Sequence, residues 1–263
     1  MKKIDFKISL LLAVLGFIAG VLILPYQLEM FQTTAPALYD EVLETLPMSI
    51  SLVSVMVGLQ LLIATFLLSF IGIKLARKTG LSFTVLESIF SKRNVVINKE
   101  AIYIAIIGGI ILGFLIVGSD RFYFQNQIPI LAENTPGFSL LGLMAGVFYG
   151  GVFEEVLMRL FLMSLVIWLW MKIFRRTKEE ISSKVYWFAI ILTSLAFALG
   201  HLPATGMMYG EVTTTLLIRG LLLNGIGGLI FGWLYWKKGI EYSILSHMFA
   251  HISMQLLFIP ILY

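Results

Sequence analysis

The sequence reads GGVFEEVLMR from Gly150 to Arg159, and this stretch places Glu154, Glu155 and Arg159 inside a strongly apolar part of the chain. The 263 residues are 59% hydrophobic and 13% charged, with a mean hydropathy of +0.94. Soluble domains do not reach such values, so we predict an integral membrane protein. Ionisable groups inside a membrane are costly and usually mark a functional site. The other segments can be understood as the scaffold that shields these charges from lipid.

Seven apolar segments are about as long as a membrane-spanning helix requires, roughly 20 residues. They are Ile8–Tyr26, one segment within Pro47–Ala76, Ala101–Gly118, Gly151–Phe174, Val185–Pro203, Val212–Trp236 and Ile240–Tyr263. We therefore predict an all-α fold, a polytopic transmembrane helical bundle of about seven or eight spans. The bundle forms one integral membrane domain over residues 1–263, with N-terminal spans in 1–137 and the candidate site in 138–263.

The connecting segments have distinct characters. Gln27–Leu46 is interpreted as a polar linker, and Ser119–Gly137 mixes aromatic and polar residues as an interfacial aromatic belt does. Apolar residues at helical spacing between Leu81 and Phe90 predict a short helix lying in the membrane interface. Within the sixth span, Arg219 and Asn224 are interpreted as structural contacts to neighbouring helices or headgroups.

The region Phe138–Phe174 is apolar almost throughout, and as one α-helix it would extend about 55 Å, far beyond a hydrocarbon core of about 30 Å. We therefore expect a break at Gly150-Gly151, with Phe138–Gly150 forming a short re-entrant segment packed against protein. Gly142, Gly146 and Gly150 recur every four residues, which predicts that another helix approaches closely along this face.

Positive charge is distributed unevenly along the chain. Sixteen of the nineteen Lys and Arg residues fall in the N-terminal segment or in three connectors that parity places on the same side. The positive-inside rule then predicts a cytoplasmic N-terminus. Membrane orientation accounts for the net charge of +4, so we expect no nucleic-acid partner. Because the chain has no cysteine, a thiol nucleophile is excluded and any zinc site would use His and carboxylate ligands.

Helix geometry gives the two adjacent glutamates, Glu154 and Glu155, different partners. Glu155 and Arg159 are four residues apart, so on an α-helix they share a face and form an ion pair in the favourable order. Glu154 points about 100° away from Glu155 and has no partner in its own helix. Such a carboxyl group is suited to act as a general base or acid. The alternative is a purely structural charge cluster that joins helices.

All three histidines lie in apolar segments that follow the glutamates, at His201, His247 and His251. His247 and His251 are four residues apart and share a helix face. A carboxylate with imidazoles supports either water activation with oxyanion stabilisation, or a zinc site formed by Glu154, His201 and His247. Counting along the spans places Glu154 and His201 near one end of their helices and the other two histidines nearer mid-membrane.

Three ordered motifs resemble the CAAX prenyl proteases and bacteriocin-processing enzymes, also called the CPBP or Abi family of intramembrane proteases. The motifs are Glu-Glu-x-x-x-Arg at Glu154–Arg159, Phe-x-x-x-His at Phe197–His201 and His-x-x-x-polar at His247–His251. The resemblance covers about the C-terminal half of the chain, from the region near Gly142 onward. At its last position, His251 stands where the family usually has Asn or Asp.

The resemblance implies an intramembrane endopeptidase in which Glu154 and His201 activate the attacking water. His247 would donate to the oxyanion, and His251 could donate a second hydrogen bond. Glu155, together with the arginine of the motif, would support the helix geometry. No cofactor is required on this interpretation, with zinc as the alternative. The expected partners are a peptide or protein substrate at the membrane and the lipid bilayer, and the expected location is a bacterial cell membrane.

Two interpretations from other classes stay open. The departure at His251 motivates a non-catalytic membrane scaffold, or a bacteriocin-immunity-type protein, that binds a partner through the same cavity. A transporter that uses Glu154 and the histidines as a proton relay ranks lower, because the two half-chains show no repeat of interrupted spans. No sequence feature specifies the substrate or recognises a prenyl group.

Overall fold

The chain was analysed as a computed structural model, which describes residues 3–91, 94–95 and 97–263. Within these residues the secondary structure is helical and contains no β-strand. Seven helical segments are long and apolar enough to cross a membrane, which confirms the predicted all-α polytopic bundle. They are Lys3–Thr34, Ile50–Thr79, Lys99–Asn126, Leu140–Ile173, Ser183–Tyr209, Thr214–Lys237 and Ile240–Leu262.

The N-terminal part contains three spanning helices and three short ones. In chain order they are α1 (Lys3–Thr34), α2 (Pro36–Thr45), α3 (Ile50–Thr79), α4 (Thr84–Phe90), α5 (Lys99–Phe122) and α6 (Pro129–Glu133). The predicted linker Gln27–Leu46 is therefore mostly helical, since α1 continues to Thr34 and Pro36 occupies the first turn of α2, where its missing N–H is harmless.

The two segments predicted to lie in the membrane interface, Leu81–Phe90 and Ser119–Gly137, are each partly buried in the bundle. The short helix predicted over Leu81–Phe90 forms as α4, but Leu81 and Phe83 before it are 4% exposed and belong to the core. In the predicted aromatic belt, Phe122 is 65% exposed, whereas Phe124 is 3% exposed and belongs to a small cluster with Leu216 and Leu223. Tertiary packing thus draws selected apolar side chains of both segments into the bundle.

The fourth span is continuous, so the predicted break at Gly150-Gly151 and the predicted re-entrant segment Phe138–Gly150 are wrong. It consists of α7 (Leu140–Ala145), two π-helical stretches (Gly146–Glu154 and Val156–Met163) and α8 (Ser164–Ile173). The glycines serve close packing instead of ending a helix. A Cβ atom on Gly142 would lie 3.0 Å from Gln255 Nε2, and one on Gly150 would lie 2.7 Å from His251 Nε2. The predicted close approach of another helix is confirmed.

The remaining helices complete the bundle around this span. They are α9 (Ser183–Gly200), α10 (Leu202–Tyr209), α11 (Thr214–Lys237), α12 (Ile240–Ser253) and α13 (Ile259–Leu262), with a π-helical turn (Met254–Phe258) between the last two. The main core cluster joins α1, α3, the fourth span, α9 and α12 through fully buried residues such as Ile8, Ile73, Leu160, Ile190 and Ile240. In lipid, such packing stabilises mainly through van der Waals contact.

Ion pairs join the helix ends at both ends of the bundle. Arg77 on α3 contacts Asp5 on α1 at 2.6 Å and Glu87 on α4 at 3.0 Å, and Lys238 contacts Glu100 at 3.3 Å. We call this end the basic end, because the connectors rich in Lys and Arg meet there. At the opposite end of α5 and α11, Asp120 and Arg219 form a bidentate ion pair. The structural interpretation of Arg219 is thereby confirmed.

Candidate active site

Glu154 lies between two imidazoles that come from different helices. Its Oε1 is 3.7 Å from His201 Nε2, and its Oε2 is 3.8 Å from His247 Nε2. Both separations are longer than a direct hydrogen bond and suit a bridging water. The side chains of His201, Glu154 and His247 are 33%, 15% and 6% exposed, so the site is reached from the His201 side.

His201 is positioned by the joint between α9 and α10. Its backbone N–H donates a hydrogen bond to Ala198 O at 3.3 Å, and its Nδ1 lies 2.8 Å from Phe197 O. Its own carbonyl accepts from both the N–H and the hydroxyl of Thr205 at 3.0 Å. Because a carbonyl oxygen can only accept, Nδ1 carries the proton. In the neutral ring, Nε2 is then an acceptor that faces Glu154.

His247 connects the two glutamates of the motif. Its Nδ1 is 3.0 Å from Glu155 Oε1, while its Nε2 faces Glu154. Ser243, one turn earlier on α12, donates from Oγ to Glu155 Oε2 at 2.5 Å. The π-helical stretches on either side of Glu155 change the α-helical phase, and one imidazole can therefore contact both carboxyl groups. Glu155 is thus a hydrogen-bond partner of the site as well as an ion-pair partner.

Arg159 pairs with Glu155 as the spacing predicts, but loosely. Its Nε is 3.7 Å from Glu155 Oε2, and among the described residues none of its three nitrogens finds a hydrogen-bond partner. The guanidinium instead lies over the rings of Phe197 and Phe231, at 5.3 and 5.9 Å. These rings contact His201 and His247, at centroid distances of 4.6 and 4.3 Å. Arg159 therefore offsets the charge of Glu155 and supports the aromatic walls of the site.

His251 joins the site through ring stacking. Its ring lies 5.3 Å from that of His247, with an angle of 15° between the planes. The two glycines of the fourth span that make room for it are Gly146 and Gly150. All four residues predicted as catalytic are therefore brought into one cluster, with Glu154, His201 and His247 facing one another and His251 behind His247.

The depth difference expected between these residues is absent, because the helices begin at other depths than span counting indicates. Glu154 lies well inside a span that begins at Leu140. Ile240, the first residue of α12, is fully buried in the same cluster as Ile167 and Ala189. Because α12 starts inside the bundle, its second turn brings His247 to the level of Glu154.

Sequence reasoning missed Ser243 and Phe231. A signal for Ser243 exists, since Ser243, His247 and His251 recur every four residues along one face of an apolar helix. Phe231 stacks on His247 with an angle of 15° between the planes, but nothing distinguishes it from other phenylalanines in the sequence.

The zinc alternative can be tested on the donor groups. Glu154, His201 and His247 supply suitable atom types, with zinc expected about 2.0–2.1 Å from each nitrogen. Across residues 3–91, 94–95 and 97–263, however, no group of three or more His, Cys, Asp or Glu side chains is placed to hold a metal ion. This arrangement does not fit a zinc site, and we derive no step through a metal.

Comparison with known proteins supports the assignment drawn from these motifs. The family model described as “Type II CAAX prenyl endopeptidase Rce1-like” matches residues 136–253, a range that contains all three motifs. Comparisons with curated proteins and with solved structures gave no match. The resemblance to CAAX prenyl proteases is confirmed over this range: residues 136–253 are similar to the Rce1-like type II CAAX prenyl endopeptidases.

Proposed function

We propose that the protein is an intramembrane endopeptidase that hydrolyses a peptide bond of a membrane-associated protein or peptide precursor with a water activated by Glu154 and His201. The observation that carries the proposal is the position of Glu154, with one carboxyl oxygen facing His201 Nε2 at 3.7 Å and the other facing His247 Nε2 at 3.8 Å. A water between Glu154 and His201 meets two acceptors, so it donates both protons and turns a lone pair outward.

In the first step the water oxygen bonds to the carbonyl carbon of the substrate and Glu154 takes one proton, as a general base. Negative charge develops on the carbonyl oxygen. His247 stabilises it from Nε2–H when both ring nitrogens carry protons, with Nδ1–H donating to Glu155. The carboxylates of Glu154 and Glu155 and the guanidinium of Arg159 together leave one negative charge in the cluster, which a second proton on His247 would balance.

In the second step the carbon–nitrogen bond breaks and Glu154 returns its proton to the leaving amine. The products are a free amine and a carboxylic acid, which keeps the second hydrogen of the water and then releases it to solvent, and the enzyme is regenerated. His251, stacked on His247, supports this ring and is the candidate for a second oxyanion donor. We further propose that the protein resides in a bacterial cell membrane with its N-terminus in the cytoplasm, following the positive-inside rule.

The decisive experiment compares membranes of cells that carry the wild-type protein with membranes of cells that carry Glu154→Gln. Quantitative mapping of protein termini should reveal a precursor that accumulates uncut in the variant. With purified proteins in liposomes, cleavage of that precursor should fall about 10²–10⁴-fold, the usual loss when a general base is removed. The matched control is Glu44→Gln on α2, an exposed carboxyl far from the site in sequence, which should cleave at the wild-type rate.

Undiminished cleavage by Glu154→Gln would refute the proposed chemistry. Normal biological activity of the double variant Glu154→Ala/His201→Ala would instead favour the non-catalytic scaffold. The absence of a metal requirement is tested on the same liposomes by elemental analysis before and after chelator treatment. We expect cleavage to persist after chelation, whereas stoichiometric zinc that is lost together with activity would establish a metal-dependent mechanism.

A further inference from the structure

A basic cavity of about 490 Å³ lies at the basic end of the bundle, where α3 and α8 end side by side. It is lined by Lys78 from the last turn of α3, by Trp168, Met171 and Lys172 of α8, and by Arg175 and Arg176 after α8. The volume is within the range of small-molecule sites. No motif of the peptidase site contributes to it.

The cavity carries excess positive charge. Of its four cationic side chains, Arg176 contacts Glu180 at 3.0 Å. For Lys78, Lys172 and Arg175, no carboxylate within the described ranges lies at ion-pair distance. Three like charges that share one wall repel each other unless an anion joins them, so the cavity selects a negatively charged group.

Trp168 gives the cavity an amphipathic wall. The ammonium groups of Lys78 and Lys172 lie 5.9 and 5.8 Å from its ring centroid, so both lysines are held over one indole. Tryptophan at such a level is typical of the headgroup region of a membrane. On the membrane side, Leu67 and Ile71 follow the same face of α3 as Lys78 and are 51% and 45% exposed, which provides an apolar track below the cations.

The backbone at the cavity is strained in a way that favours a functional role. Arg175 has a φ of 51°, the one positive φ among non-glycine residues in the described part of the chain. The N–H of Arg176 bonds to Met171 O at 2.9 Å, which completes the helix-ending turn. Glycine is the usual residue at such a position. An arginine there costs backbone energy and places a cation at the cavity instead.

From these observations we infer that the cavity binds the phosphate headgroup of an anionic phospholipid, whose acyl chains lie along the exposed face of α3. Basic pockets between transmembrane helices are suited to such headgroups. The cations neutralise the phosphodiester, Trp168 contacts the glycerol region, and the apolar track receives the chains. This inference is independent of the peptidase proposal.

The test uses full-length protein in nanodiscs that contain equal amounts of dioleoyl phosphatidylglycerol and dioleoyl phosphatidylcholine. After release, native mass spectrometry counts the lipids that stay bound. The wild-type protein should retain phosphatidylglycerol preferentially. Lys78→Gln/Lys172→Gln should reduce this preference by about fivefold for each lysine removed. Lys78→Arg/Lys172→Arg keeps both charges and should preserve it.

The matched control is Lys184→Gln/Lys237→Gln, which removes two exposed lysines outside the cavity, one of them held over Trp236 at 3.6 Å. An equal loss of preference in this control would overturn the site, because general surface charge would then explain binding. Displacement of the lipid by millimolar inorganic phosphate would overturn the lipid as ligand in favour of a soluble anion.

A further variant guards against misfolding of the double mutant. Arg175→Gly removes a cation and relieves the backbone, so it should raise the midpoint of thermal unfolding while lowering retention of phosphatidylglycerol about fivefold. Higher stability with unchanged lipid retention would remove Arg175 from the site and contradict the inference.

Discussion

Arg159 and Arg219 both lie within spanning helices, and the structure surrounds them in opposite ways. Arg219 on α11 donates to both oxygens of Asp120, with 2.6 Å between its Nε and Oδ1. Arg159 in the fourth span is fully buried, its Nε lies 3.7 Å from Glu155 Oε2, and its side chain forms no hydrogen bond to any described residue. Both carboxylate oxygens of Asp120 accept hydrogen bonds from Arg219, whereas those of Glu155 are hydrogen-bonded to Ser243 and His247.

The difference separates a charge that holds helices together from a charge that serves chemistry. A bidentate pair satisfies its own donors and acceptors and offers nothing to a substrate. In the candidate site Arg159 supplies charge and aromatic contact but donates no hydrogen bond to a described residue, so Glu155 stays available to orient His247. Such partial satisfaction costs stability, and folds tolerate it mainly where function requires it. The two regions should therefore respond in opposite ways to substitution.

The largest effect is expected for Glu155→Gln. The amide keeps the shape of the side chain but removes the negative charge that stabilises a doubly protonated His247. We expect cleavage of the precursor found with Glu154→Gln to fall about 10⁴-fold, as when a charged histidine partner in a catalytic site is made neutral. The measurement is kcat/KM in liposomes. Glu155→Asp, which retains the charge, should keep more activity than Glu155→Gln.

Ser243→Ala is the matched comparison for Glu155→Gln, because it removes one hydrogen bond to Glu155 and leaves the charge. A loss of about tenfold is expected, in line with about 1.5 kcal/mol, the lower end of the range for a hydrogen bond to a charged group. If Glu155→Gln cleaves as well as Ser243→Ala, the charge of Glu155 has no role at His247, and the contrast between the two arginine regions fails.

Next in size, Arg219→Met and Arg159→Met should have opposite effects: the first should mainly lower stability, and the second should mainly lower cleavage. Arg219→Met should lower the free energy of unfolding by about 2–3 kcal/mol, because it leaves Asp120 with an unpaired charge that is 16% exposed. Its cleavage rate per folded molecule should stay near the wild-type value. Arg159→Met should lower stability by only about 1 kcal/mol, since no hydrogen bond is lost, the cost of burying the guanidinium disappears and Glu155 keeps two donors.

Arg159→Met should instead reduce cleavage by tenfold or more, because the cluster loses the cation that offsets its second carboxylate. Unfolding is measured in mixed micelles with increasing denaturing detergent, and cleavage on the fraction that remains folded. Asp120→Asn/Arg219→Met supplies the control, since it removes both charges and should recover part of the lost stability. A larger stability loss for Arg159→Met than for Arg219→Met would contradict the assignment of the two roles.

The same contrast explains what could be predicted from the sequence. Membrane spans follow from hydropathy alone, because unsatisfied backbone is excluded from lipid and helices are the local solution. The cluster of Glu154, His201 and His247 follows from the rarity of such groups in apolar spans. The Glu155–Arg159 pair can be predicted from helix periodicity. The long distance between the two side chains cannot, because Ser243 and His247, which bind the Glu155 carboxylate instead, lie on α12, about 90 residues later.

The errors at the fourth span have a common physical cause. Gly150-Gly151 has the composition of a helix break, but in the bundle these glycines make room for α12, and continuous π-helical turns replace the break. Whether a glycine interrupts a helix or admits a neighbour depends on that neighbour, which periodicity along one segment does not encode. The buried start of α12 at Ile240 likewise depends on the core cluster that it shares with Ile167 and Ala189, not on local hydropathy.

The smallest loss of activity is expected for substitutions of His251, and it tests whether the site extends beyond Glu154, His201 and His247. His251 touches the site by stacking on His247, an interaction of about 0.5–1.5 kcal/mol. His251→Ala should therefore reduce kcat about tenfold or less, well below the effect of Glu155→Gln. His251→Asn should retain most of the activity, because an amide also donates a hydrogen bond. Equal losses of activity in His251→Ala and His251→Asn would limit the role of His251 to ring stacking. A loss in His251→Ala as large as that of Glu154→Gln would instead make His251 an essential part of the candidate site.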